Sequence, residues 1–315
     1  MNPTPRQRAS LASTPFAITN AASAASARAF SATQARHAVR ALHAEVVLYP
    51  KPGLVSPIDN GSHDDMDAST FLRSLFSLRH YFRRICLAGM ENAPFARLKQ
   101  LGIEAEARMM IATRGINTHR GAIFSLGLLC AAAGSLHARR RPITAAAMRS
   151  ALLDHWGAAL TGHASANPDP DSDASVPLLS HGLLAAARHA VSGAREEGAL
   201  GLPSVFEVGL PALQATLARG ASMEHARIDA LFALMAHISD SNIYYRAGPQ
   251  GAHIVRSAAQ RFLAQGGTLH PDWFAQAQES HRLFVRHRLS PGGAADLLAA
   301  SCLLHAMLDT PAASA

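Results

Sequence analysis

From about residue 34 onward the chain alternates apolar and polar positions with the spacing of helices, not strands. Ala35, Val39, Leu42 and Val46 recur 4, 3 and 4 residues apart, which sets them on one helical face. Phe71, Leu75, Leu78, Phe82 and Ile85 repeat that spacing and predict a second, longer face. Leu213 with Leu217, Ile228 with Leu231, Met235 and Ile238, and Ile254 with Ala258 and Phe262 mark further helices. A last helix is predicted from Ser290-Pro291-Gly292-Gly293: Ser suits an N-cap, Pro suits a first turn, and Ala294 to Leu308 follow without a breaker. No alternating run is long enough to build a sheet, and no repeat of solenoid period is present. The pattern predicts an all-α protein with a single helical domain over 34–309 and functional loops between its helices. The segment 1–33 is rich in Ala, Ser, Thr and Arg and lacks an apolar core, so it is assigned as a disordered tail, not a transit peptide; 310–315 forms a C-terminal tail. Within the domain, Ala164 to Pro177 is polar, with three Pro, and is assigned as a flexible loop.

Composition supports the helical reading. Of the 315 residues 49% are hydrophobic but only 6% aromatic, so Ala and Leu, both strong helix formers, supply most of the apolar surface. Cys86, Cys130 and Cys302 are far apart and lie in apolar helical stretches, where free Cys acts as a small hydrophobe; they argue for a reducing compartment and against disulfides. No run reaches the 18 or so uninterrupted apolar residues of a spanning helix. A soluble, cytoplasmic protein is expected.

The net charge of +7 raises the question of a polyanionic partner. Only Lys51 and Lys99 are lysine, and the other 27 of 29 basic residues are Arg, scattered apart from Arg139-Arg140-Arg141. A nucleic-acid binder would gather such charge on one face or stripe, so nucleic acid is not expected as a partner. The rarity of Lys instead singles out Lys51, where a compact point charge suits a function.

Lys51 belongs to Pro50-Lys51-Pro52-Gly53, a break after the first helix, followed by an acidic loop. Asp59, Asp64, Asp65 and Asp67 place four carboxylates within nine residues, beside His63. Hard cations such as Mg²⁺ take oxygen ligands and keep substrate phosphates, so an acidic loop next to a basic one suits a metal–nucleotide site. Asp67 is equally placed to cap the helix carrying Phe71. A second cluster comprises Glu104, Glu106 and Thr113-Arg114-Gly115-Ile116-Asn117-Thr118-His119-Arg120. Glu104 sits four residues before Arg108, as in a helix-surface ion pair. Gly115 ends a helix and Asn117 or Thr118 caps the next, whose free N–H groups favour an anion. Gly193-Ala194-Arg195-Glu196-Glu197 and Asp240-Ser241-Asn242 with Arg246 form two further polar turns, and Asp296 lies in the first turns of the last helix.

Together these segments resemble the triphosphoribosyl-dephospho-CoA synthases that serve citrate lyase and malonate decarboxylase. The matching pieces are PKPGLV at 50–55 with Glu45 before it, SHDDMD at 62–67, TRGINTHRGAIFSLG at 113–127, GAREEGALGLP at 193–203, DSNIYYRAG at 240–248 and SPGGAADLLA at 290–299. The family commonly has Arg-Gly-Glu where this chain has Arg195-Glu196-Glu197, and Asp-Thr-Asn where it has Asp240-Ser241-Asn242. The GAREE and YRAG wording leans toward the malonate decarboxylase branch.

The resemblance implies a transferase that joins ATP to 3′-dephospho-CoA and releases adenine, making a prosthetic-group precursor. A separate downstream transferase would attach it to an acyl-carrier subunit. It implies Mg²⁺, with Asp64, Asp65, Asp67 and Asp240 at the metal. Asp65, Glu106, Glu197 and Asp240 are implied as catalytic, with Glu106 or Glu197 as general base. Lys51, Gly53, His63, Thr113, Asn117, Thr118, His119, Arg195, Asn242 and Arg246 are implied in substrate binding. A rival is a metal-dependent HD-type phosphohydrolase, built on His63-Asp64 with His43 and Asp240.

Overall fold

The computed structural model describes residues 15–165 and 193–309. The described residues contain no strand, and the longest described connection between their helices is residues 47–67. They are α1 Pro15–Val46, α2 Ala68–Ser77, α3 Arg79–Met90, α4 Phe95–Ala112, α5 Arg120–Ala138, α6 Ala145–Ser165 and α7 Ala194–Ala199. A π-helical turn, Ser204–Gly209, leads into α8 Leu210–Ala218; then come α9 Met223–His237, α10 Ser241–Ala264, a 3₁₀ turn Gly267–Leu269, α11 Trp273–Arg286 and α12 Gly292–Leu308. The all-α expectation holds.

Two helices with almost no polar face form the axis of the core. In α5 every residue from Ser125 to Leu136 is buried, and in α12 the same is true from Leu297 to Leu304. Around them pack α1, α3 and α6 on one side and α8, α9 and the π turn on the other. Helix α5 is long and apolar enough to cross a membrane, but 78% of its apolar window is buried against its neighbours. All three cysteines are free and buried, and burial pushes the Cys86 thiol up to about 12 and Cys302 up to about 11. Some buried polar groups cross-link the helices. Asp229, for example, accepts from Thr216 Oγ1 (2.8 Å), Thr268 N (2.8 Å) and Thr268 Oγ1 (2.9 Å), which ties α8 and α9 to the 3₁₀ turn.

Three expectations change. The first helix begins at Pro15, so the assigned tail 1–33 ends inside it; the Ala-rich stretch favours a helix, and Phe30 stacks on His137 of α5 with ring centroids 4.0 Å apart. The face from Phe71 to Ile85 is divided between α2 and α3 at the fully buried Leu78. The polar stretch Ala164 to Pro177 opens with the end of α6; from residue 166 it lies outside the described residues, as does 310–315.

Candidate active site

The last turn of α1 carries Glu45 to the start of the Pro50-Lys51-Pro52-Gly53 turn, and the two meet inside the protein. Lys51 Nζ lies 2.6 Å from Glu45 Oε1, with only 2% and 6% of the two side chains exposed. Burial pulls the Lys51 ammonium below its usual range, while Glu45 and Asp59 hold it up. The turn is anchored from α11 and the loop after it. Gly53, at φ +69°, presses against the Leu289 carbonyl where a Cβ would collide; only glycine takes that conformation without strain. Its N–H donates to His281 Nδ1 (3.4 Å), and His281 Nε2 faces Asp59 Oδ1 at 3.3 Å.

The acidic loop does not gather its carboxylates at one point. Asp67 caps α2: its Oδ1 accepts from Thr70 N (2.8 Å), Thr70 Oγ1 (2.7 Å) and Ser69 Oγ (2.9 Å). Those donors hold its carboxyl down at about 2. Asp64 pairs with Arg288 at 2.7 Å in solvent. Asp65 stays exposed, 3.7 Å from His63 Nδ1. His63 Nε2 is 2.7 Å from Ser290 Oγ, and Arg246 reaches His63 Nδ1 (3.4 Å) and the Ser62 carbonyl (3.3 Å). Burial, then Arg246, lowers the His63 pKa. Ser290 thus turns to His63 and does not cap α12, whose N-cap is Pro291. Asp240 is held apart from this loop's carboxylates in role, its oxygens accepting from main-chain N–H groups at two helix N-termini. Among the described residues no three His, Cys, Asp or Glu side chains converge to hold a metal. The exposed Asp64 and Asp65 fit a Mg²⁺ carried mainly by substrate phosphates, which needs only one or two carboxylates. The HD arrangement fits poorly: His43 is exposed on α1, while Asp240 is 6% exposed and its carboxylate is held by main-chain N–H groups.

At the start of α5, Asn117 Oδ1 accepts from Arg120 N at 3.3 Å. Thr118 Oγ1 donates to Ser74 Oγ of α2 (2.7 Å), and Ser74 Oγ is 2.6 Å from His119 Nδ1. His119 is 2% exposed, and its Nε2 is buried without a hydrogen-bond partner. Burial first, then the Lys51 charge, lowers the pKa of the ring to about 3. Thr113 is buried and its hydroxyl turns to the Met109 (2.9 Å) and Ile116 (2.5 Å) carbonyls, closing the end of α4. Glu106 pairs with Arg120. Glu104 pairs across helices with Arg84 at 2.7 Å, not with Arg108 on its own helix.

The third wall is formed by α10 and α12. Asp240 is the N-cap of α10; Oδ1 accepts from Asn242 N (2.9 Å) and Oδ2 from Ala294 N in the first turn of α12 (3.2 Å). Burial raises its pKa against those hydrogen bonds. Two residues further along α12, Asp296 lies so close to Gly121 of α5 that a Cβ there would strike its carboxylate. Burial, Glu45 and Asp240 push the Asp296 carboxyl well above the ordinary range. The N-termini of α5, α10 and α12 therefore meet around Asp240 and Asp296, with Glu45 near enough to raise the Asp296 pKa and Lys51 paired to Glu45. Helix N-termini so gathered favour bound anions.

The GAREE turn has its own duties. Glu196 Oε2 accepts from Gly193 N (2.6 Å), while Glu197 accepts from Ser204 Oγ (2.5 Å) and Ser204 N (3.2 Å). Arg195 is partly buried; burial first, then the Arg195 charge, lowers the His163 pKa to about 4. The residues that the motifs left without a part in the site are Ser74, Ser290, assigned only as a cap, and the buried carboxylates Glu45 and Asp296. The signal for the last two was available: each stands with a matching segment, and Asp296 is an acid on an otherwise largely apolar helix.

The chain matches the model of the family described as CitG: ATP:dephospho-CoA triphosphoribosyl transferase over residues 31–314. A probable 2-(5''-triphosphoribosyl)-3'-dephosphocoenzyme-A synthase of Acinetobacter calcoaceticus is 41% identical over 258 residues, covering 82% of this chain and 85% of the relative. The similarly named protein of Pseudomonas putida is 41% identical over 273 residues, 85% of this chain and 91% of the relative. The 2-(5''-triphosphoribosyl)-3'-dephosphocoenzyme-A synthase of Pectobacterium atrosepticum is 40% identical over 271 residues, 84% and 86% respectively. No solved structure matches the chain.

Proposed function

Because the chain belongs to the ATP:dephospho-CoA triphosphoribosyl transferase family, we propose that it joins ATP to 3′-dephospho-CoA with release of adenine. The ribose 2′-hydroxyl oxygen of dephospho-CoA bonds to C1 of the ATP ribose, and the C1–N9 bond breaks, its electron pair leaving with adenine. The hydroxyl proton goes to a base, and adenine takes up a proton. The observation that carries this reading is the meeting of Asp240 and Asp296 with the buried Glu45–Lys51 pair, where three helix N-termini converge.

Positive charge builds on the ribose as C1–N9 breaks, and a fixed carboxylate stabilises it. Asp240 suits that task, since main-chain donors hold it in place. Asp296 suits proton exchange, because burial and negative neighbours make it bind a proton more tightly than an ordinary carboxyl. Glu106 and Glu197 are less free for this role, being held by Arg120 and Ser204. Arg246 at the rim and the α5 N-terminus with Asn117 and His119 would receive phosphates. Arg195 would add a further cation for phosphates, and Lys51 holds its charge beside Glu45. Mg²⁺, when bound, would neutralise phosphate oxygens, with Asp64 and Asp65 as its protein ligands. Asp67 shapes the loop that carries them. The GAREE and YRAG wording supports service to malonate decarboxylase over citrate lyase.

Purified protein given ATP, Mg²⁺ and dephospho-CoA should release adenine only when both nucleotides are present, with a heavier CoA species on chromatography. Adenine from ATP alone would make the protein a hydrolase. Phosphate without adenine would favour the phosphohydrolase reading.

A further inference from the structure

We propose that Ser74 is a positioning residue that fixes the tautomer of His119, so that Nε2–H is presented as a hydrogen-bond donor to a phosphoryl oxygen of a bound nucleotide. The inference rests on the nucleotide-binding reading above and deepens it. Thr118 Oγ1 donates to Ser74 Oγ at 2.7 Å, which leaves the Ser74 proton for His119 Nδ1, 2.6 Å away. A ring nitrogen that accepts a hydrogen bond carries no proton, so a neutral imidazole keeps its one proton on the other nitrogen. The pKa of about 3 agrees with a ring that is neutral in the working range.

The rest of the ring is locked. Phe71 meets it edge-on with centroids 5.1 Å apart, and the His119 main-chain N–H points to Met109 Sδ at 3.3 Å. Only Nε2 is unused, and it is buried. Buried donors are almost always paired, so an orphan in so fixed a ring calls for a partner that arrives with a ligand. Its position at the N-cap of the 19-residue α5 names the chemistry. Free main-chain N–H groups and the positive helix end favour an anion there, and a neutral N–H adds a donor without burying another charge beside Lys51. The phosphoryl oxygen belongs either to the ATP triphosphate or to the dephospho-CoA pyrophosphate.

Nitrogen-15 NMR of histidine-labelled protein without substrate, with His119 assigned by its loss in His119→Gln, reads the tautomer directly. The expected spectrum shows a protonated Nε2 and an unprotonated Nδ1, with Ser74→Ala mixing the two forms. A proton on Nδ1 in the unaltered protein overturns the proposal. In steady-state assays Ser74→Ala should raise KM about tenfold for one nucleotide, with a smaller fall in kcat. A rise for ATP assigns the triphosphate; a rise for dephospho-CoA assigns the pyrophosphate. Ser74→Ala combined with His119→Ala should be no worse than His119→Ala alone. Unchanged KM for both nucleotides in folded Ser74→Ala, or losses that add, would refute it. Failure of the transferase reading itself would show separately, as absence of adenine release from the unaltered protein.

Discussion

Lys51 and Glu45 form an ion pair of 2.6 Å in which neither side chain is more than 6% exposed. A charge buried in this way is stable only with its partner. Removing one side of such a pair costs about 3–5 kcal/mol, whereas replacing both with apolar groups costs far less. Glu45→Ala and Lys51→Met should each lower unfolding free energy by about that amount, and Glu45→Leu/Lys51→Met by clearly less. Urea unfolding of the set checks this. Singles within about 1 kcal/mol of the unaltered protein would mean that the pair is solvated.

Asp67 is predicted to act through α2. Asp67→Ala should cost about 1 kcal/mol of stability, and Asp67→Asn much less, because Asn caps a helix nearly as well. The sign of the pH dependence follows from its lowered pKa. The cap contribution is complete above the ordinary value of 3.8 and is lost as pH falls toward about 2. The stability gap between the unaltered protein and Asp67→Ala should close over that window. If Asp67→Asn kept full stability yet lost adenine release as completely as Asp67→Ala, a direct role in the chemistry would have to be restored.

These positions also show what a sequence discloses. The helices were legible because their apolar spacing is strong, as in Phe82 and Ile85 or Ile228, Leu231 and Met235. Lys51 stood out because it is one of two lysines among 29 basic residues. That it is buried against Glu45 was not legible, since the contact depends on how the turn folds back onto α1. Spacing within one helix suggested Arg108 for Glu104, but the partner, Arg84, is on α3. Ser290 had the right place for a cap and was drawn to His63 instead. Ser74, between Phe71 and Leu75, carries no pattern at all; only the packing of α2 on the start of α5 gives it a role.

His119 predicts an acid limb in stability. Its folded pKa of about 3 lies below the ordinary 6.5, so the unfolded chain binds the proton more readily between those values. Its share of stability is therefore complete above pH 6.5 and is lost as pH falls toward 3, on the order of a few kcal/mol at the lower end. Asp240 and Asp296, whose pKa values are raised, act in the opposite sense as they take up protons. The difference between the unaltered protein and His119→Gln isolates the histidine. The midpoint of thermal unfolding should fall less steeply with acid in His119→Gln; parallel curves would mean that the ring is solvated.

Asp240 and Asp65 separate the buried centre from the exposed loop. Asparagine at 240 keeps one oxygen to accept from Asn242 N or Ala294 N, but turns an amide NH₂ toward the other donor. It also removes the charge proposed to face the ribosyl cation. Loss of one such preorganised group typically costs about 10²–10³ in turnover. Asp240→Asn should lose that much kcat, together with some stability from the broken link between α10 and α12. Asp65 is exposed and 3.7 Å from His63, so Asp65→Asn should act chiefly through Mg²⁺, raising the Mg²⁺ concentration needed for half-maximal adenine release. The two effects part at saturating Mg²⁺, where Asp65→Asn should recover and Asp240→Asn should not. Near-normal turnover in a folded Asp240→Asn would remove the buried carboxylate from the reaction and return Glu106 and Glu197 to first place.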